Sequence, residues 1–197
     1  MAKKPDSATL QLSIMYAENL IRSESWVAKA EELLAASRLL EEKLTRFWAA
    51  LSPSGEVPAE LAGFGSLQAP YFMLVAYALE NYCKAYLVRR NEPKLRNRIL
   101  TRLPDYLKDH DLARLVARVD FPLAAPEEEL LARLTRCSLW AGRYPVPTGP
   151  NGMLNIQEFS DGRKYLLAYF AGPDLKRIHD FIDRLRQHVD SAVQRVS

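Results

Sequence analysis

The residues of this sequence best suited to chemistry fall in three groupings. His110-Asp111 stands immediately before an apolar repeat at Leu112, Leu115, Val116 and Val119. Asp111 there suits a helix N-cap, and the His110 ring can donate to a neighbouring carboxylate or carbonyl. Arg143-Tyr144-Pro145 follows the end of another helical pattern. An arginine fork at a helix end can take a phosphate with Tyr144 stacked beside it, although Pro145 also accounts for the segment as a locked helix exit. The third grouping is the run Lys84, Arg89, Arg90, Lys94, Arg96, Arg98 and Arg102, opposed only by Glu92 and preceded by Tyr82 and Tyr86. Cations beside aromatic rings can grip a phosphate backbone and stack a base, while arginines near a helix C-terminus also complement its dipole. The candidate binding residues are therefore His110, Asp111, Arg143, Tyr144, Lys84, Arg96, Arg98 and Arg102. A catalytic use would make His110 a general base and Arg143 the group that stabilises charge on a phosphorane.

The remaining polar residues read as structural. His179 and His188 lie on the polar side of the last helical pattern, beside Asp180, Asp183 and Arg184, as surface histidines. Glu31, Glu32, Glu41 and Glu42 fall on a solvated face and suit helix solubility rather than acid–base work. Cys83 and Cys137, the two cysteines, each sit inside an apolar pattern and are expected as buried thiols. No Gly-rich phosphate loop, nucleophile elbow, His-Glu-x-x-His or zinc-ligand spacing is present, so no metal and no cofactor is expected.

The elements that must position these groups are helical almost throughout. Leu10, Ile14, Ala17 and Ile21 repeat over residues 7–22, and Trp26, Ala30, Leu33, Leu40, Leu44, Phe47 and Leu51 share one face of a long helix over 25–51, with Ser23 or Ser25 as its cap. A central helix begins near Ser66, and its first half is apolar on all sides, the mark of a helix packed all round. Pro93 is expected to open a short helix that Pro104 closes. Pro126 followed by three glutamates starts another, running to Trp140. Residues 142–163 are glycine- and proline-rich loop, with one short strand possible over 153–159. The last helix repeats Leu175, Ile178, Ile182, Leu185, Val189, Ala192 and Val196, a narrow seam that fits another helix of the same chain or of a symmetry mate, and a homodimer is expected on that ground. The fold class is an all-α, up-and-down helical bundle in a single domain over residues 1–197.

Three of these pieces resemble HEPN-domain proteins, small helical bundles often found beside minimal nucleotidyltransferases. They are Glu80-x-x-x-Lys84-Ala85-x-Leu87 in the central helix, His110-Asp111-Leu112 opening a short helix, and Arg143-Tyr144-Pro145 after the next. The resemblance covers about residues 67–190, with the helices over 7–22 and 25–51 packed on that core. It implies a commonly dimeric bundle with RNA- or nucleotide-directed roles in defence or toxin–antitoxin systems, and a nucleotidyltransferase as a possible partner. Many members of the family are metal-independent ribonucleases that carry an Arg, then four to six intervening residues, then a His. Here those positions hold Leu103, Pro104 and Asp105 before His110, and none of the three histidines has an arginine at that offset. The expectation is a non-catalytic module for RNA, nucleotide or a partner protein. The alternatives are a ribonuclease or toxin using His110 and Arg143, and a structural helical adaptor.

Composition is consistent with that frame. The chain has 197 residues, 48% hydrophobic and 26% charged, enough to bury a core without staples and too well mixed for a disordered chain. A formal charge of +3 is too small to imply nucleic acid without a local patch. Lys3 and Lys4 have no apolar stretch behind them, and the longest apolar run, 67–79, is shorter than a membrane span, so a cytoplasmic protein with no membrane contact is expected.

Overall fold

Helix α4 (Gln68–Arg96) is the axis of the molecule. Its 29 residues extend about 43 Å, and most of those from Tyr71 to Val88 are buried, as a helix apolar on every side requires. The protein is described by a computed structural model covering residues 7–51, 54–96, 102–144, 156–158, 164–166, 170 and 172–194. The chain is an all-α bundle: α1 (Ser7–Ile21), α2 (Ser23–Ala50), α3 (Ala59–Ala62), α4, α5 (Leu112–Arg118), α6 (Ala125–Arg136) and α7 (Gly172–Gln194). Two three-residue strands, β1 (Ile156–Glu158) and β2 (Lys164–Leu166), pair antiparallel as a small hairpin, with Gln157 opposite Tyr165. No helix among the described residues is long and apolar enough to cross a membrane.

The long helix α2 lies along α4 and buries Ala30, Leu34, Ser37 and Leu44 against it, a stripe at steps of three, four and seven residues. No serine side chain caps α2. Arg22 occupies the N-cap position, and Ser23 is already helical and buried. Pro93 does not open a new helix either. It lies inside α4, where the missing N–H takes from the ladder the bond that would reach the Arg89 carbonyl, and the helix continues to Arg96 nonetheless. Of the short helix expected between Pro93 and Pro104, residues 93–96 belong to α4, Leu103 is not helical, and residues 97–101 lie outside the described residues.

Helix α7 runs parallel to α4, with Tyr82 beside Arg186 and Tyr86 beside His188, and buries Leu175, Ile178, Phe181, Ile182, Leu185 and Val189 within the chain. The seam expected to face a symmetry mate is thus filled by the chain's own core, while Val196 lies outside the described residues. The start of α7 is tied to α6 by Arg133, whose guanidinium donates to both Asp174 oxygens at 2.8 and 2.9 Å and lies 4.6 Å above the Phe170 ring. Phe170 in turn stacks on Phe72, with ring centroids 3.5 Å apart. In contrast, α1 holds on by Leu20, Ala17 and Ile21 and leaves Leu10, Leu12, Ile14, Met15 and Tyr16 exposed, Leu12 by 66%.

Candidate functional site

Two segments that the sequence singled out converge on one side of α4. The first is the approach to α5. Asp111 caps that helix by accepting from the Arg114 N–H at 3.1 Å, and Asp109 accepts from the Asp111 N–H at 3.1 Å. This pinned turn holds His110 over α4, where its Nδ1 donates to the two oxygens of Glu80 at 3.0 and 3.1 Å. Glu80 also receives Lys84 Nζ at 2.5 Å, one helical turn on. Glu80 and Lys84 are buried, whereas the His110 side chain is 54% exposed. His110 therefore closes a buried ion pair at the surface, with its other ring nitrogen unpartnered among the described residues.

The second segment follows α6, where the helix widens into one π turn, Cys137–Ala141, ending at Gly142. A side chain on Gly142 would meet Met73 Cβ at 2.6 Å and the Cys137 carbonyl at 2.8 Å, so the absence of a Cβ lets this turn lie against α4. Beyond it Arg143 and Tyr144 are exposed. The Arg143 guanidinium donates to the Leu139 carbonyl at 2.8 Å and lies 6.0 and 5.7 Å from the ring centroids of Tyr77 and Tyr144. It has no carboxylate partner among the described residues. Arg136 lies 5.3 Å from the Trp140 ring, adding a second guanidinium against an aromatic face.

Tyr77 connects the two segments. Its hydroxyl donates to the Ser138 carbonyl at 2.9 Å, and Glu80 lies one turn further along α4. Burial pushes the Tyr77 phenol up, the Arg143 charge pulls it back, and the Glu80 charge raises it again. Tyr77 thus feels the charges of both Arg143 and Glu80, although no hydrogen bond joins the His110 and Arg143 side chains directly among the described residues.

The basic run from Lys84 to Arg102 offers fewer free cations than its sequence suggests. Lys84 is 3% exposed and committed to Glu80, so it is no surface phosphate contact. Arg89 and Arg96 both pair with Glu92, whose carboxyl is held below its usual range by the Arg96 hydrogen bond, with burial opposing and Arg89 adding to it. Arg90 pairs with Asp120 across to the end of α5. Arg102 is exposed and carries no ion pair among the described residues, and Arg98 lies outside them. Tyr82 is buried and Tyr86 stacks on His188 at 5.2 Å, so neither presents a free ring for a base.

Other residues lie where the sequence did not place them. Glu31 and Glu41 are not simply solvated: Glu31 accepts from the Tyr82 hydroxyl and from Arg186, and Glu41 accepts from the Tyr71 hydroxyl at 2.8 Å and pairs with His179 at 3.0 Å. His188 is packed rather than superficial, with Nε2 at 2.8 Å from the Val119 carbonyl and its ring against Tyr86 and Phe121. The one sequence signal for the two glutamates is position, since both lie beside the Ala30–Leu34–Leu44 stripe. Their partners come from helices far along the chain. Cys83 and Cys137 are buried free thiols, each pushed up to about 12 by burial. No group of three or more His, Cys, Asp or Glu among the described residues could hold a metal ion. No protein-family model, curated protein or solved structure matches the chain.

Proposed function

We propose that the chain is a HEPN-like, non-catalytic module that binds RNA or a nucleotide on the surface formed by the α5 approach and the π turn. The observation that carries this reading is Arg143, an exposed guanidinium without a carboxylate partner among the described residues, set between the faces of Tyr77 and Tyr144. A fork of free N–H donors between ring faces suits a phosphate with an adjacent base. Arg136 on Trp140 extends the same surface. The buried Glu80–Lys84 pair gives that surface a rigid floor, and Arg102 adds charge toward Asp105. Such a module would work in a defence or toxin–antitoxin setting, with a second copy or a nucleotidyltransferase as its partner.

A second reading has its own observation. The Glu80 carboxylate orients the His110 ring through Nδ1 and leaves the other nitrogen without a partner among the described residues, the arrangement a general base needs. A metal-independent ribonuclease would then use Arg143 to stabilise the phosphorane. Titrating a labelled oligoribonucleotide with the parent, Arg143→Ala, Tyr144→Ala and His110→Ala chains, and running the same samples for cleavage, distinguishes the readings. The binding module requires intact RNA, with affinity reduced about tenfold or more in Arg143→Ala and the salt slope lowered by about one unit. Cleavage abolished by both His110→Ala and Arg143→Ala would promote the ribonuclease. Neither binding nor cleavage would leave the helical adaptor.

A further inference from the structure

Helix α1 leaves the body of the molecule with most of its apolar surface unused. Only its last turn packs: Leu20 is buried and Ala17 and Ile21 lie against the core, while Leu10, Leu12, Ile14, Met15 and Tyr16 are all exposed. At about 100° per residue, Leu10 and Ile14 fall on one side of the helix and Leu12, Met15 and Tyr16 on the other. Glu18 is the one charged side chain among its 15 residues. A helix apolar on opposite sides is normally a buried one, and apolar side chains gathered in solvent mark a contact with something outside the chain.

The foot of this arm stands at a basic end of the bundle. Glu41 meets Tyr71 and Glu31 meets Tyr82, so α2 runs antiparallel to α4 and Ser23 comes level with Arg90. Arg22 joins α1 to α2 directly, which sets the arm beside the C-terminal end of α4. Arg22 and Lys94 are exposed there and make no ion pair among the described residues, and exposed Arg96 shares Glu92 with Arg89. The exposed acids at this end are Glu24, Asp120, which pairs with Arg90, and Asp190. Along the sequence, Lys3, Lys4 and Arg22 bracket the arm against Asp6, Glu18 and Glu24, and the segment from Arg89 to Arg102 has Glu92 as its one acid among six cations. The RNA surface around Arg143 uses neither the arm nor the cations at its foot.

We infer that α1 and this basic end seat the protein on an anionic lipid surface, with the helix in the interface and its apolar side chains among the acyl chains. At about 22 Å the helix is too short for the ~30 Å hydrocarbon core, so it lies in the membrane surface rather than across it. The expectation of no membrane contact rested on the lack of a spanning segment and of a leader, and an interfacial helix needs neither. A partner protein's groove takes a single stripe of a helix, whereas a helix sunk to its axis meets acyl chains on both flanks. Nucleic acid matches the cations but leaves the apolar arm in water. Lipid binding of this kind scales with the apolar area inserted plus the attraction of cations to anionic headgroups, and this end of the molecule offers both.

Flotation of the full chain with vesicles of equimolar phosphatidylcholine and phosphatidylserine, and with vesicles of phosphatidylcholine alone, tests the assignment. The chains compared are the parent, Leu12→Glu/Met15→Glu, Arg22→Gln/Lys94→Gln and Arg143→Ala. The parent should float with the phosphatidylserine vesicles, about tenfold or more weakly in Leu12→Glu/Met15→Glu, about tenfold more weakly in Arg22→Gln/Lys94→Gln, and unchanged in Arg143→Ala. All the replaced side chains are exposed, so the four chains should melt alike. Absence of flotation at millimolar lipid overturns the proposal. So does flotation that survives Leu12→Glu/Met15→Glu, or equal flotation with phosphatidylcholine alone. A parent that sediments as a dimer without lipid, and as a monomer once Leu12 and Met15 are replaced, overturns it too, because a second copy then covers the arm. Loss of RNA binding by Arg143→Ala leaves these results untouched, so the two surfaces succeed or fail separately.

Discussion

At the scale of single residues, the buried charges decide what substitutions do. Lys84 neutralises Glu80 inside the bundle, at 2.5 Å, with His110 as the other partner of that carboxylate among the described residues. Replacing Lys84 with Met should cost about 3 kcal/mol in urea unfolding, because a buried carboxylate loses its cation. The same change should leave the salt slope of RNA binding as it was, since Lys84 meets no solvent. Tyr71 and Tyr82 set the alkaline limit. Both phenols are raised by burial first, Tyr71 then by Glu41 and Tyr82 by its hydrogen bond to Glu31, with Tyr82 reaching about 12. A folded value above the unfolded one favours the protonated form. Their contribution is complete below the ordinary tyrosine range near ~10 and is lost as pH rises through about 12 for Tyr82. In an ultraviolet phenolate titration, Tyr71 and Tyr82 should ionise only together with loss of helical circular dichroism.

At the scale of elements, Gly142 is the position where backbone packing governs the candidate site. A methyl group there overlaps Met73 Cβ and the Cys137 carbonyl. Gly142→Ala should therefore cost about 1–3 kcal/mol and weaken RNA binding along with the melting temperature. Gly63→Ala is the matched control, as nothing lies within 4 Å of its added carbon and the chain is already in the right-handed helical region. It should be neutral or slightly stabilising in the same melt. The helices themselves are legible from periodicity: α4 by its all-round apolar run, α5 by Asp111, α6 by Pro126 and the glutamates after it. Pro93 misleads because proline usually starts a helix or ends one, whereas here the helix, largely buried from Tyr71 to Val88 and buried again at Leu95, carries past it. The His110–Glu80 contact is half visible, since the ring calls for a carboxylate but nothing local says which. The Glu41–His179 and Glu31–Arg186 contacts join residues 138 and 155 positions apart, and hydrophobic spacing carries no information on such pairs.

At the scale of the molecule, the two outer helices differ in what they bury. Helix α1 keeps five large apolar side chains in solvent, whereas α7 turns its whole described seam into the core. The self-association expected from the α7 seam therefore loses its motive there. The same seam bears on how the chain could be cut. Residues between α6 and α7 include the small hairpin, yet α7 is held by Leu175, Ile178, Phe181, Ile182, Leu185 and Val189 and by the Arg133–Asp174 clamp. Burying six such side chains contributes about 9–18 kcal/mol, comparable with the ~4–15 kcal/mol cost of bringing two separate molecules together. The polypeptide should therefore tolerate being divided. Residues 1–160 and 161–197, expressed as independent fragments, should co-purify on a tag carried by one of them. Leu185→Asp in the shorter fragment should abolish that recovery, making this chain a two-piece complementation reporter whose reassembly is set by one helix.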